Sequence, residues 1–231
     1  MKYALMIVAL SMIFQSVSKR AEAQNEEDWP NLKRYQEANA KLTTPDKQHQ
    51  RVVFMGNSIT DAWVDRSPNF FDNPAYIGRG ISGQTTPQML VRFRQDVIEL
   101  KPKAVVILAG TNDIAGNTGP STLDMIMDNL VSMTELAKYN DIKVLLCSVL
   151  PASHYSWSPD KEPADKIVTV NRRIQAYAEK ADVMYVDYYS ALVNNEKGMK
   201  KKYSPDGVHP NKAGYKIMEP IIEDALRNVL N

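Results

Sequence analysis

The sequence contains one cysteine and three histidines in 231 residues. A lone Cys147 allows no disulfide within the chain, so a hydrophobic core must hold the fold. Cys147 lies inside the apolar run Val144–Leu150, which marks a buried structural thiol and not a reactive one. The scattered His49, His154 and His209 offer no metal-ligand spacing, so no metal is expected. Charge of one sign is also missing: 28 Lys and Arg face 27 Asp and Glu, a net charge of +1. That balance lacks the basic footprint of a nucleic-acid-binding protein. There is no internal repeat and no low-complexity tract. The longest apolar run, Tyr3–Phe14, is about a dozen residues, short for a membrane span. No stable membrane insertion of the mature chain is therefore expected.

What is present is ordinary globular composition, 44% hydrophobic and 24% charged, in a chain long enough for one good-sized core. Residues 1–23 read as a signal peptide. Lys2 is a minimal basic start, Tyr3–Phe14 the apolar stretch, and Ala21-Glu22-Ala23 a small-x-small cleavage signal before Gln24. Lys19 and Arg20 after the apolar run are unusual for a cleaved signal; the alternative is an uncleaved anchor. With no cysteine near the junction, a lipid anchor is not expected. This organisation predicts an exported protein, periplasmic or extracellular if bacterial, with residues 24–231 as one domain.

Five short apolar segments alternate with helical patterns. The expected strands are Val52–Met55, Ala75–Ile77 with its flanks, Ala104–Ala109, Ile142–Val149 and Val183–Val186. The expected helices are Asn31–Leu42, Thr86–Leu100, Ser121–Tyr139, Pro163–Lys180 and Asn211–Leu230, the last with a kink or break at Pro220. Strands alternating with helices point to an α/β fold with a parallel sheet covered on both faces. The third and fourth strands are nearly all apolar, as strands buried on both sides are.

Chemistry concentrates where strands end. Val52–Met55 runs into Gly56-Asn57-Ser58, so a sharp turn lifts Ser58 to the carboxyl edge of the sheet. A serine needs a base to become a nucleophile, and histidine is the usual one near neutral pH. His49 sits in a polar lead-in and reads as solvated, and His154 lies in a loop where it could face substrate. His209 follows Asp206 by three residues in a turn rich in Gly and Pro. Such a turn can fold the carboxylate back onto one ring nitrogen and leave the other facing a serine. Donors for a developing oxyanion are available in two loops, Arg79–Gln84 and Gly110–Asp113, although Gly and Asn are favoured in turns anyway.

Taken together, the ordered blocks GNSIT, GISGQT, GTND and DGVHP resemble the GDSL-type, or SGNH, hydrolase family. The resemblance covers about residues 51–215, and the four letters fall on Ser58, Gly83, Asn112 and His209. It implies a flavodoxin-like three-layer α/β/α domain with a five-stranded parallel sheet in the order 2-1-3-4-5. It also implies roles: Ser58 the nucleophile, His209 the base, Asp206 its orienting acid. The oxyanion hole would be the backbone N–H groups of Ser58 and Gly83 with the Asn112 side chain. Gly80 is a second-choice glycine, assigned to the turn. No cofactor is implied. One departure stands out: Asn57 replaces the aspartate usual before the serine, which leaves the hydrogen bonding of that turn open.

The ester is less legible. The loop Pro151–Glu162 follows a strand directly and should border the site. Trp63, Tyr76, His154, Tyr155 and Trp157 could rim a pocket; packing is favoured for Trp63 and Tyr76, while Tyr155 and Trp157 could equally bind substrate. The leading expectation is a serine esterase removing short acyl groups, O-acetyl above all, from carbohydrate. The alternatives are a lysophospholipase or thioesterase of the same family, and a catalytically silent carbohydrate-binding domain.

Overall fold

Five strands pair all in parallel in the order β2-β1-β3-β4-β5. They are β1 Val52–Gly56, β2 Tyr76–Gly80, β3 Ala104–Leu108, β4 Lys143–Cys147 and β5 Met184–Val186. This computed structural model describes residues 28–230 apart from 44 and 46–49. The expected signal peptide and His49 lie outside the described residues.

Side chains alternate across a strand, and that alternation divides the core in two. Val53 and Met55 of β1, Val105 and Ile107 of β3 and Val144 and Leu146 of β4 point to one face. There they meet the helices Thr86–Asp96, Leu123–Tyr139 and Pro163–Ala181. Val52 and Phe54, Val106 and Leu108, and Leu145 and Cys147 point to the other. That face is covered by Ser58–Arg66, Pro68–Phe71, Tyr189–Leu192 and Lys212–Leu230. The result is three layers, with strands buried on both sides, which is why β1 and β3 read as unbroken apolar runs.

Several boundaries differ from the sequence reading. The expected helix Asn31–Leu42 is a 3₁₀ turn, Leu32–Tyr35, followed by a short helix, Gln36–Ala40. The second strand, expected at Ala75–Ile77 with its flanks, is Tyr76–Gly80, so Gly80 is a strand residue and not part of the turn. A Cβ at Gly80 would stand 2.1 Å from the backbone nitrogen of Asp61, so glycine is what lets the helix after Ser58 lie against β2. The last helix is continuous from Lys212 to Leu230 with Pro220 inside it, so of the kink or break expected there the break does not occur. The short helices Pro68–Phe71, Thr111–Ala115 and Tyr189–Leu192 carry too few residues to show a period.

Register fixes where the chemistry emerges. Gly56 at the end of β1 pairs with Gly80 of β2 and with Leu108 of β3. The three loops that follow therefore leave the sheet at one level. Strand order reverses beside β1, and such a switch point at the carboxyl edge is where open α/β sheets place ligands.

Candidate active site

Ser58 is the first residue of the helix Ser58–Arg66. Asn57, buried, caps that helix: its Oδ1 accepts from Ile59 N at 3.1 Å. A neutral amide thus supplies the acceptor at a buried N-cap without bringing a charge into the interior. The departure from aspartate at this position keeps the turn capped.

His209 is brought in from the far end of the chain. Its Nε2 lies 2.9 Å from Ser58 Oγ, and its Nδ1 lies 2.7 Å from Asp206 Oδ2. Asp206 Oδ1 accepts from His209 N at 2.8 Å, from Val208 N at 2.9 Å and from Ser204 Oγ at 3.0 Å. Partial burial would push the Asp206 carboxyl up, but these donors together with the imidazole outweigh it and hold the group well below the ordinary carboxylate range. An anionic Asp206 favours the tautomer with the proton on Nδ1. Nε2 is then bare toward the serine hydroxyl.

The second loop, after β2, turns at Gly83, whose φ of +80° is a left-handed value that favours glycine. The third, after β3, enters the short helix Thr111–Ala115 and buries Asn112. Asn112 Nδ2 donates to Gln84 O at 2.9 Å. An amide nitrogen carries two hydrogens, so one of the pair is committed to this loop-to-loop bond. Asp113 beside it accepts from Thr86 N at 2.9 Å and from Thr86 Oγ1 at 2.5 Å, and so caps the helix Thr86–Asp96 from the neighbouring loop.

Beneath these loops lies a cation that the sequence reading did not single out. Arg92 is fully buried and paired with fully buried Asp96 at 2.9 Å. Its Nε donates to Gln84 Oε1 at 2.5 Å, and its Nη2 to Gly56 O and Arg79 O, each at 2.9 Å. One guanidinium therefore ties the residues before Ser58, the end of β2 and the Gly83 loop. Asp96 in turn accepts from Asn39 Nδ2 at 2.8 Å, and Asn39 Oδ1 accepts from Arg79 Nε at 2.8 Å. An arginine in the middle of a helical pattern reads as a solvent face, so the sequence holds no signal for this role.

The aromatic expectations separate. Trp63 is buried, stacked on Phe70 and Tyr215 at 5.2 Å each, and Tyr76 packs against Phe54 and Phe70. Tyr155, expected to contact substrate, is 0% exposed. Its hydroxyl bonds Thr111 Oγ1 at 2.8 Å and its ring backs Trp157 at 4.9 Å, so it is a wall behind the site and not a surface in it. Burial pushes its phenol up, out of reach of ionisation. Trp157 is 43% exposed, with its ring centroid 6.1 Å from that of His209. Its Nε1 donates to Asn117 Oδ1 at 3.1 Å, while Asn117 Nδ2 donates to Gly83 O at 3.0 Å. Asn117, which the sequence reading missed, thus joins the Trp157 wall to the glycine loop. His154 is exposed and neither bonds nor stacks with the triad residues. Cys147 is buried and its thiol is pushed up by that burial. Among the described residues no three His, Cys, Asp or Glu side chains gather as a metal site, and no helix is long and apolar enough to cross a membrane.

The GDSL-like lipase/acylhydrolase family model matches residues 54–217. A solved structure of a candidate acylhydrolase from Bacteroides fragilis is 51% identical and superposes with a TM-score of 0.87, covering 89% of this chain and all of that one. A GDSL-like lipase from Bacteroides thetaiotaomicron is 50% identical, with a TM-score of 0.85 over 87% of this chain and 99% of that one. An acetylxylan esterase of Xylanibacter ruminicola is 26% identical over an alignment 222 residues long, which covers 80% of this chain and 45% of that protein. The chain thus spans less than half the length of that relative. A family match across most of the chain, with near-complete overlay at half identity, makes this protein a member of the GDSL-like lipase/acylhydrolase family.

Proposed function

We propose that the protein is an exported serine esterase that removes short acyl groups, O-acetyl above all, from carbohydrate. The observation that carries the catalytic part is the continuous hydrogen-bonded chain Ser58–His209–Asp206 at the carboxyl edge of β1. Ser58 Oγ attacks the ester carbonyl carbon while His209 Nε2 takes its proton. The oxyanion is met by the N–H groups of Ser58 and Gly83 and by the Asn112 Nδ2 hydrogen not given to Gln84 O. The intermediate collapses, His209 returns the proton to the departing alcohol, and an acyl-Ser58 remains. Water then attacks with the same base, releasing the carboxylic acid and the free serine.

The carbohydrate part is supported by the similarity to an acetylxylan esterase and by the character of the rim, where an exposed indole stands among amide side chains. Export rests on the amino-terminal pattern of residues 1–23.

Two measurements test the reading with Ser58→Ala as the inactive control. On p-nitrophenyl esters, acetate should be cleaved fastest and octanoate slowest. On acetylated xylan, pectin and sialic acids, at least one should release acetate. Octanoate cleaved much faster than acetate would favour the lysophospholipase or thioesterase reading. Retention on a polysaccharide with no hydrolysis of any ester would favour the silent binding domain.

A further inference from the structure

One groove, about 700 Å³, lies at the amino ends of β4 and β5, the end of the sheet away from the triad. A smaller one, about 520 Å³, opens beside Gly83 and runs between two exposed indoles, Trp157 and Trp29. Apart from Ile81 and Gly83 its other lining is polar, with Gln88, Asn117 and Thr118 among it. Trp29 is 47% exposed, so its ring is open to a ligand entering the groove.

The segment that carries Trp29 is built, not loose. Asp28 folds it: Oδ1 accepts from Leu32 N at 2.7 Å and Oδ2 from Lys33 N at 2.9 Å. Two glutamine amides then strap its carbonyls to the site. Gln88 Nε2 donates to Trp29 O and Gln84 Nε2 to Pro30 O, each at 2.7 Å. Gln84 is the residue that Arg92 and Asn112 also hold, so the Trp29 segment is fastened to the oxyanion loop itself. The far wall is fastened in the same way, through Asn117 between Trp157 and Gly83 O.

A fatty acyl chain would need a continuous apolar trough, which amide and hydroxyl side chains interrupt. A pyranose ring has two characters: hydroxyl edges that bond amides, and C–H faces that lie on aromatic surfaces. A groove of this volume is large beside an acetyl group and within the roughly 300–1,000 Å³ that holds drug-sized ligands. We propose that the Trp29–Trp157 groove is a leaving-group subsite for the glycan, with Trp29 as its distal platform. It takes a neutral sugar ring next to the acetylated one; this rests on the carbohydrate-esterase reading above.

The test separates binding from turnover. In the full chain carrying Ser58→Ala, calorimetry with xylotetraose and cellotetraose should detect binding of at least one. Adding Trp29→Ala should weaken it roughly tenfold or more, the size of one good aromatic contact, and Trp29→Phe should recover most of the loss. In the active enzyme, Trp29→Ala should raise KM for acetylated xylo-oligosaccharide with little change in kcat. Its kcat/KM loss there should exceed that on p-nitrophenyl acetate by about tenfold. The subsite is overturned if neither tetraose binds, if Trp29→Ala binds as tightly as its parent, or if both substrates lose equally. Tetraose binding that depends on Trp29, in a protein that releases no acetate from any glycan, would keep the subsite and overturn the acetylesterase reading.

Discussion

Beneath Ser58 the site rests on side chains with no exposure at all, Arg92 and Asp96, whereas its rim carries two indoles nearly half open to solvent. The floor takes its residues from strand ends and the helix that follows β2. The rim takes its own from a segment ahead of β1 and from the loop after β4. Both are hydrogen-bonded to the Gly83 loop, but with different stakes. In the floor, each polar group is buried, so an unmade bond is costly. At the rim, water can replace any partner that leaves. The floor can therefore hold reacting groups to tenths of an ångström, while the rim is free to vary with the substrate.

The harshest way to break the comparison is to remove the cation. Arg92→Met leaves Asp96 buried without its cation and takes a donor from Gln84 Oε1, Gly56 O and Arg79 O, of which Gly56 O keeps the N–H of Ile81. Breaking one side of a buried pair costs about 3–5 kcal/mol, which should appear as a large drop in the urea midpoint. Adding Asp96→Leu should recover much of the stability without recovering kcat, because the Gly83 loop stays untied. A double variant with normal kcat would show that the loops hold their positions without the guanidinium.

Asn112 sharpens the same point at the level of chemistry. Asn112→Ala removes the proposed oxyanion donor and the bond to Gln84 O together. The expected loss is roughly 100- to 1,000-fold in kcat on p-nitrophenyl acetate. A loss carried by KM alone would assign Asn112 to substrate binding. Trp29→Ala is the counterpart at the rim, with a smaller loss carried by KM on the glycan.

The strands and the turns at their ends were legible in the sequence; the buried pair beneath them and the Trp29 side of the rim were not. Strands betray themselves because burial on both faces demands unbroken apolar runs, as in Val52–Met55 and Ala104–Ala109. The blocks around Ser58, Gly83, Asn112 and His209 are short and local, since each is one turn at one strand end. Arg92 escaped because a buried cation looks like any surface arginine until its acceptors, from residues 56, 79, 84 and 96, come together in space. Trp29 escaped for a similar reason: nothing local ties it to a loop more than fifty residues on. Tyr155 and Trp157 lie two apart in one loop, yet one is core and one is rim. Their environments are set by Thr111 and Asn117, on the segment that follows β3.

The smallest effect separates two carboxylates by sign. Asp206 is partly open and gathers donors, which hold its carboxyl below the ordinary value of 3.8. Asp113 is buried, and burial raises its carboxyl above 3.8 despite the Thr86 bonds. A depressed acid adds stability that is present above 3.8 and lost as pH falls through its folded value. A raised acid adds stability that is present below 3.8 and lost as pH rises through its folded value. The two therefore oppose each other, and neutralising Asp113 should show it. Asp113→Asn keeps an Oδ1 acceptor for Thr86 N but cannot ionise. Its Tm should fall less than the parent's as pH is raised from 4 toward neutrality, while the acid-side loss due to Asp206 should remain. Parallel Tm–pH curves for the two proteins would mean that Asp113 ionises in the fold as easily as in the unfolded chain. The interior beneath the glycine loop would then tolerate charge as readily as the open turn around His209.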